Sequence, residues 1–525
     1  MHTRIKLLQA SGVRAISRSF RVTLLTWSDS VISALPMTRE EATTLYESGK
    51  ENTVAVLMGL DTAVKELRKR VEKLEEAVAR KSTDSSNSSK PPSSDGITKP
   101  PSKRRAQRGE PRRKQGGQKG HKGVTRELFP EDEVTTIEKL YPVKCKKCGA
   151  SFSQTPAVTT LHPETRRHQQ FEIPAKSLII TEYQRHGCRC SCGTTTWATL
   201  PPEAVDGFGP RLSASLAYLT GCHRISRRGN HEIAEVVHGL PISSASVCGV
   251  LDEAGEAVED TYEELACALT ELPFVNGDET GWPVAGKLSW LWIFVAPRFA
   301  VFRIGPRTSK TVEEMLGETF EGILCCDRFS AYIKSHKGFF QFCWAHLIRN
   351  IKGLAATCLK EDAENLSRWM LAEAKRLFEI WHTFTGGQIT RSELIKLSVP
   401  IRSRMILCLK KHSGSETAKV RSFAKKLLSC QDGLFTFLYH EGVEPTNNSA
   451  ERGVRPAVMW RRICQGNKTE KGARITERLL TVTQTCRMQG IDPIDLLAEA
   501  ILAHRKGLPA PSLLPKTEFQ INKAA

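Results

Sequence analysis

The sequence predicts a multidomain α+β protein, and three observations carry that prediction. Valine and leucine recur at heptad spacing from Leu57 to Val78. Two cysteine knuckles lie between Cys145 and Cys192. From about Pro273, short apolar runs of strand length alternate with a helix and give way to a long stretch of helical periodicity. The expected order is an N-terminal coiled coil, a zinc-binding module, a helical region, and an α/β core with a helical insertion.

Length and charge bound the function. A chain of 525 residues is longer than one hydrophobic core organises, and a formal charge of +19 calls for a polyanionic partner. Eighteen consecutive apolar residues occur nowhere, so no membrane-spanning helix is expected. Sixteen cysteines without a secretion signal fit a reducing cytoplasm, with five grouped for metal and eleven scattered like buried thiols.

Residues 1–36 read as a leader with no signal-peptide pattern, and Met37 as the natural start, followed by Thr38 as a helix cap with Glu41 three residues on. In the segment 37–80, Leu57, Val64, Val71 and Val78 share one heptad position and Leu60, Leu67 and Leu74 the other, a pattern that favours a parallel two-stranded coil and a homo-oligomer. A helical hairpin or a helix packed on another domain is the alternative. The polar and basic linker 81–129 lacks the apolar content to fold alone. Between Lys99 and Arg126 it holds eleven Lys or Arg against Glu110 alone. Lys103, Arg104, Arg105, Arg108, Arg112, Arg113, Lys114, Lys119 and Lys122 are placed to follow DNA phosphates, contacts that position without reading sequence.

The module 130–200 carries Cys145-x₂-Cys148 and Cys188-x-Cys190-x-Cys192. Paired thiolates select Zn²⁺, and Cys145, Cys148, Cys190 and Cys192 are the expected ligands of one structural ion, with Cys188 left as a packing residue. The tight second spacing leaves Cys188 or His186 as substitutes for Cys190. The region 201–271 is helical; His231–Val237 and a helix capped by Ser243 form either a helix-turn-helix or a packing pair.

The core is expected in two parts, 272–354 and 441–475, separated by a helical insertion over 355–440 and followed by a C-terminal helical segment 476–510 and a tail 511–525. Strands are expected at Leu272–Val275, Trp290–Ala296, Ala300–Ile304, Ile323–Cys326 and Gln341–Trp344, with a helix over Ser309–Leu316. Three strands, a helix and further strands describe a ribonuclease H-like arrangement. Asp278 follows one apolar run, Asp327 ends another, and Glu451 opens a helix. Two strand-end aspartates and a helical glutamate are hard oxygen ligands suited to two Mg²⁺ or Mn²⁺ ions, the arrangement that phosphoryl transfer on DNA requires. His346, Arg349, Arg452, Arg455, Arg461, Arg462 and Lys468 are the candidate DNA contacts around them, since arginine holds phosphate oxygens in pairs. A structural role for His346 is the alternative.

Asn87-Ser88-Ser89-Lys90-Pro91-Pro92-Ser93-Ser94-Asp95, Gly116-Gly117-Gln118-Lys119-Gly120-His121-Lys122-Gly123, the knuckles, Asp278-Glu279-Thr280, Cys343-Trp344-Ala345-His346 and Glu444-Pro445-Thr446-Asn447-Asn448-Ser449-Ala450-Glu451-Arg452 together carry a resemblance. The chain resembles the IS66-family transposases of bacterial insertion sequences from Met37 to about Leu497. The resemblance implies a ribonuclease H-like core with an Asp-Asp-Glu triad at Asp278, Asp327 and Glu451. It also implies binding of double-stranded DNA with terminal inverted repeats, metal-dependent cleavage, transfer of 3′ ends into target DNA, and small accessory proteins from the same element. The site would then be a bacterial cytoplasm, at the nucleoid when DNA-bound. A non-catalytic DNA-binding regulator and a ribonuclease H-like nuclease or resolvase are the rival readings.

Overall fold

The computed structural model describes residues 39–81, 128–140, 147–151, 167–169, 178–189, 191–192, 194–204 and 207–515. The leader, the basic tract Lys99–Arg126, Cys145 and Cys190 lie outside the described residues.

Helices α1 (Arg39–Glu47) and α2 (Lys50–Lys81) open the described chain. On α2 the heptad residues Leu57, Val64, Leu67, Val71, Leu74 and Val78 are exposed, while Val64, Leu67 and Val71 also line a groove with Leu359. Strands β1 (Gly187–Arg189) and β2 (Thr195–Trp197) form a small antiparallel pair whose residues are all exposed. Among the described residues nothing covers Cys188, which is exposed and not the packing residue expected from spacing.

Four helices follow: α3 (Pro210–His223), α4 (Arg227–His238), α5 (Ser244–Ala257) and α6 (Glu259–Ala268). Ser243 caps α5 by accepting the Ser246 N–H, as its sequence position indicated. Helix α5 buries Val247, Val250, Leu251, Ala254 and Ala257 and packs against α4, while Ser244, Ala245 and Gly249 stay exposed on its other face.

The central sheet has the order β5-β4-β3-β6-β7. Strand β3 (Phe274–Val284) turns at Ala285-Gly286 into β4 (Lys287–Val295), both turn residues having positive φ as a tight hairpin demands, and β5 (Ala300–Gly305) pairs antiparallel to β4. After α7 (Ser309–Leu316), β6 (Ile323–Cys326) returns parallel to β3; α8 (Ser330–Ser335) leads to β7 (Phe340–Phe342), parallel to β6. Two points depart from expectation. Strand β3 is eleven residues long, so Asp278 lies in mid-strand and not at a strand end. Its polar stretch Asn276–Thr280 hides the strand from an apolar pattern, and backbone pairing with β4 from Asn276 to Val284 supplies the order that side chains do not advertise. Trp344 opens a helix instead of closing the fifth strand.

Helices α9 (Trp344–Thr357), α10 (Glu361–Thr385), α11 (Arg391–His412) and α12 (Ala418–Leu428) form the helical stretch between β7 and the last part of the fold. Leu366, Met370 and Leu377 make its buried stripe, while Trp369 stays 44% exposed at the edge of that stripe. Buried Glu373 is held by Arg376 at 2.6 Å and by Arg404 at 2.8 Å, the pairing that a charge needs in a helical core.

Helix α13 (Asn448–Cys464) lies across one face of the sheet, with Ala450, Val454, Ala457 and Trp460 packed on Trp282, Ile293 and Val295. A Cβ at Gly453 would lie 2.6 Å from Ile293 Cδ1, so glycine is what lets α13 approach β4 this closely. Helices α14 (Glu470–Gln489) and α15 (Pro493–Arg505) then pack against α3 and α5. Ion pairs Arg505–Glu253 and Lys471–Asp252 tie these segments together.

Helix α14 also seals the sheet. Glu477, Thr481 and Thr485, four residues apart on one face, accept the backbone N–H groups of Ile304, Phe302 and Ala300 along the open edge of β5. At the other edge, Thr436 donates to the Phe340 carbonyl and Gln341 accepts the Phe437 N–H at 2.8 Å.

Candidate active site

Side chains alternate along β3, and this divides two adjacent acids between two faces. Asp278 shares its face with Thr280 and Trp282, the face covered by α13, where Trp282 meets Trp460 edge to face. Glu279 points to the opposite side, where the Tyr332 hydroxyl donates to it at 2.7 Å and Arg307 pairs with it at 2.7 Å. Arg307 is itself clamped between Trp290 and Phe329, 4.0 and 3.9 Å from the two rings. The Glu279 side chain is only 4% exposed, which explains why it needs both partners. Sequence reading missed Glu279 as a site acid; strand alternation next to Asp278 was the available signal.

Asp327 follows β6 directly, and its Oδ1 accepts the Phe329 N–H at 2.8 Å, which fixes the carboxylate where the chain turns into α8. Glu451 sits in the first turn of α13, whose positive helix end favours an acid. The three segments meet. Burial pushes the Asp278 carboxyl well above the usual carboxylate range, and the charges of Glu279, Glu451 and Asp327 push it further, against a single 2.9 Å hydrogen bond from the Glu279 N–H. Burial raises Glu279 as well, with the charge of Asp327 next in weight. The charges of these four carboxylates thus bear on one another at one end of the sheet, although Asp278 and Glu279 face opposite ways.

Asn447, just before α13, anchors this helix: its Nδ2 donates to the Gly277 carbonyl at 2.6 Å and its N–H to Cys343 Sγ at 3.2 Å. The basic candidates divide into two groups. His346 and Arg349, one turn apart on α9, both face Glu451 Oε1, with Nδ1 and Nη2 each 3.4 Å away. Burial lowers the His346 pKa, and the charge of Arg349 lowers it further, so the imidazole is neutral at neutral pH. Arg452, Arg455, Arg462 and Lys468 are exposed around α13. Arg461 is not free: its Nη1 donates to Thr280 Oγ1 at 3.0 Å and to the Gly281 carbonyl, strapping α13 to β3. Of the zinc candidates, Cys148 and Cys192 are exposed.

A helix-rich mixed α/β domain with carboxylates gathered at one end of its sheet is consistent with a metal-utilising enzyme of the transposase class. Comparison with known proteins gives the family. The model described as the transposase IS66 family matches residues 207–475, and the chain belongs to that family of DDE-type transposases. A family of unknown function, DUF6444, matches residues 35–127. Two proteins of Sinorhizobium fredii (strain NBRC 101917 / NGR234), both described as uncharacterized, are similar to it. One, y4qI, is 27% identical over 391 residues, covering 66% of this chain and 69% of its own. The other, y4hP, is 25% identical over 421 residues, covering 72% and 74%. Among the described residues no helix is long and apolar enough to cross a membrane.

Proposed function

We propose that the protein binds the ends of an insertion sequence and catalyses metal-dependent DNA strand cleavage and strand transfer, with Asp278, Asp327 and Glu451 as its catalytic carboxylates on a ribonuclease H-like core. The observation that carries this reading is their convergence: a mid-strand residue, a strand-end residue and a helix-start residue from distant parts of the chain share one electrostatic environment. Carboxylate oxygens of this kind fit Mg²⁺ or Mn²⁺. A pair of such ions supplies activation of a water or DNA 3′ hydroxyl and stabilisation of the leaving oxygen.

The chain's own groups then have distinct tasks. Asp278, Asp327 and Glu451 would together hold the cations, with Asp278 the acid that feels both others. Arg349 holds Glu451 in place at 3.4 Å, and would be available to a DNA phosphate beside His346 when that carboxylate serves a cation. Exposed Arg452, Arg455, Arg462 and Lys468 receive the backbone on either side. Away from the core, Cys145, Cys148, Cys190 and Cys192 hold one structural Zn²⁺, the basic tract around Lys103 to Lys122 tracks phosphates, and the α2 heptads join copies of the chain. Accessory proteins of the same element complete the machinery.

The test supplies DNA with the native element ends, a second duplex and Mg²⁺ or Mn²⁺, and follows nicked and joined products on a denaturing gel. Asp278→Asn, Asp327→Asn and Glu451→Gln each abolish both products while DNA binding persists. Wild-type activity in all three variants, or cutting in chelator, sinks the proposal; cleavage without joining moves it to a nuclease.

A further inference from the structure

Beside the carboxylates lies a second kind of donor set. Cys343 is the cap residue of α9, His346 sits in its first turn, and Glu451 arrives from α13. Cys343 Sγ is 4.0 Å from Glu451 Oε1, His346 Nδ1 is 3.4 Å from the same oxygen, and the three donor atoms lie within 4.8 Å of one another. Nδ1 of His346 is buried and makes no hydrogen bond, a costly condition for a ring nitrogen that has no other ligand. Sulfur, imidazole nitrogen and carboxylate oxygen are together the donors of Zn²⁺, and a thiolate is a poor ligand for Mg²⁺. The Asn447 N–H, 3.2 Å from the Cys343 sulfur, donates to it and holds it in place.

We propose that Cys343, His346 and Glu451 form a binding site for a thiophilic divalent cation of the Zn²⁺ class, and that filling it switches the enzyme off. The switch rests on the transposase reading above; the site itself does not. Glu451 Oε1 is common to both donor sets, so a cation held by Cys343 and His346 withdraws the glutamate from the hard-cation position. Arg349 is the group displaced, because its guanidinium lies 3.4 Å from the same oxygen. Three protein ligands leave one tetrahedral position open to water.

The experiment uses the full chain with Co²⁺ as spectroscopic stand-in for Zn²⁺, comparing wild type with Cys343→Ser and His346→Gln. The amino-terminal cysteines are the same in all three proteins and contribute equally. Each variant should bind one equivalent fewer of Co²⁺, and Cys343→Ser should lose part of the thiolate-to-cobalt charge-transfer absorption. In Mg²⁺-supported cleavage, the Zn²⁺ concentration that halves activity should rise at least about tenfold in His346→Gln, since loss of even an outer partner of a metal ligand costs that much affinity. Unchanged Co²⁺ stoichiometry in folded His346→Gln, with cleavage intact in the wild type, overturns the site alone. A lost equivalent in the variants with no cation-dependent cleavage in the wild type supports the site and sinks the transposase reading.

Discussion

Asn447 joins Gly277 across 170 positions of sequence: its side-chain amide donates to the Gly277 carbonyl at 2.6 Å, one residue before Asp278, while Glu451 follows four residues later on the helix that Asn447 begins. One buried amide therefore fixes the separation between the strand acid and the helix acid. Asn447→Ala leaves the Gly277 carbonyl without its donor, and loss of such a buried partner costs about 1–3 kcal/mol. Urea unfolding should show that loss, and strand cleavage should fall further than stability does because Glu451 is released. A variant with lowered stability but wild-type cleavage would show that Asn447 does not position the acid.

Gly453 sets a second constraint on the same helix. Gly453→Val places branched carbon where a Cβ already lies 2.6 Å from Ile293 Cδ1, in a core where Ile293 is fully buried. Overpacking of this kind costs about 1–3 kcal/mol. Melting temperature should drop, and residual activity should recover in part with Ile293→Ala, which reopens the space. Failure of that second change to restore anything would place the clash elsewhere.

Asp278 makes stability depend on pH and cation. Its folded pKa is raised, first by burial and then by neighbouring carboxylates, so the folded state binds its proton more tightly than the unfolded chain. Stability is therefore lost as pH rises from the ordinary carboxylate range through the raised value, by about 1.4 kcal/mol for each unit of elevation. In chelator, Asp278→Asn should melt above wild type, by a margin that widens with pH. Mg²⁺ should raise the wild-type melting temperature and leave the variant's unmoved. Equal melting curves at all pH values in chelator would remove the crowding argument.

Glu477 behaves in the same sense for a structural reason. Burial pushes its pKa from 4.5 up to about 7, against the pull of Arg474 and Arg303. Between those two values the folded protein holds the proton that the unfolded chain releases, so stability falls across that window and levels off above it. The span corresponds to roughly 3 kcal/mol. Glu477→Gln keeps an oxygen for the Ile304 N–H and abolishes the titration. The difference in melting temperature between variant and wild type should rise from pH 4.5 to pH 7.5 and then stay flat. A constant difference would mean that Glu477 remains ionised throughout.

Much of this architecture is legible in the sequence where local chemistry dictates it. Helix α7 has the bounds its apolar spacing indicates, and Ser243 announces the start of α5. The middle of β3 is not legible, because Asn276 to Thr280 carry site chemistry in place of an apolar alternation. Pairing partners decide such strands. Glu279, Cys343 and Asn447 were missed as site groups for a related reason: each acquires its role from a neighbour more than fifty residues away, Tyr332, Glu451 or Gly277. Arg461 looked like a phosphate ligand by type, yet the backbone of β3 engages it first.

The row formed by Glu477, Thr481 and Thr485 has a consequence for how copies of this chain can meet. A bare strand edge recruits another strand, and β5 would be such an edge were its outward N–H groups not already taken by α14. At β7 the segment around Thr436 and Phe437 does the same. Neither side of the sheet is free to continue into a neighbour. Copies of this chain therefore cannot join edge to edge through this sheet, and partial melting of α14 would bare a strand edge that recruits others.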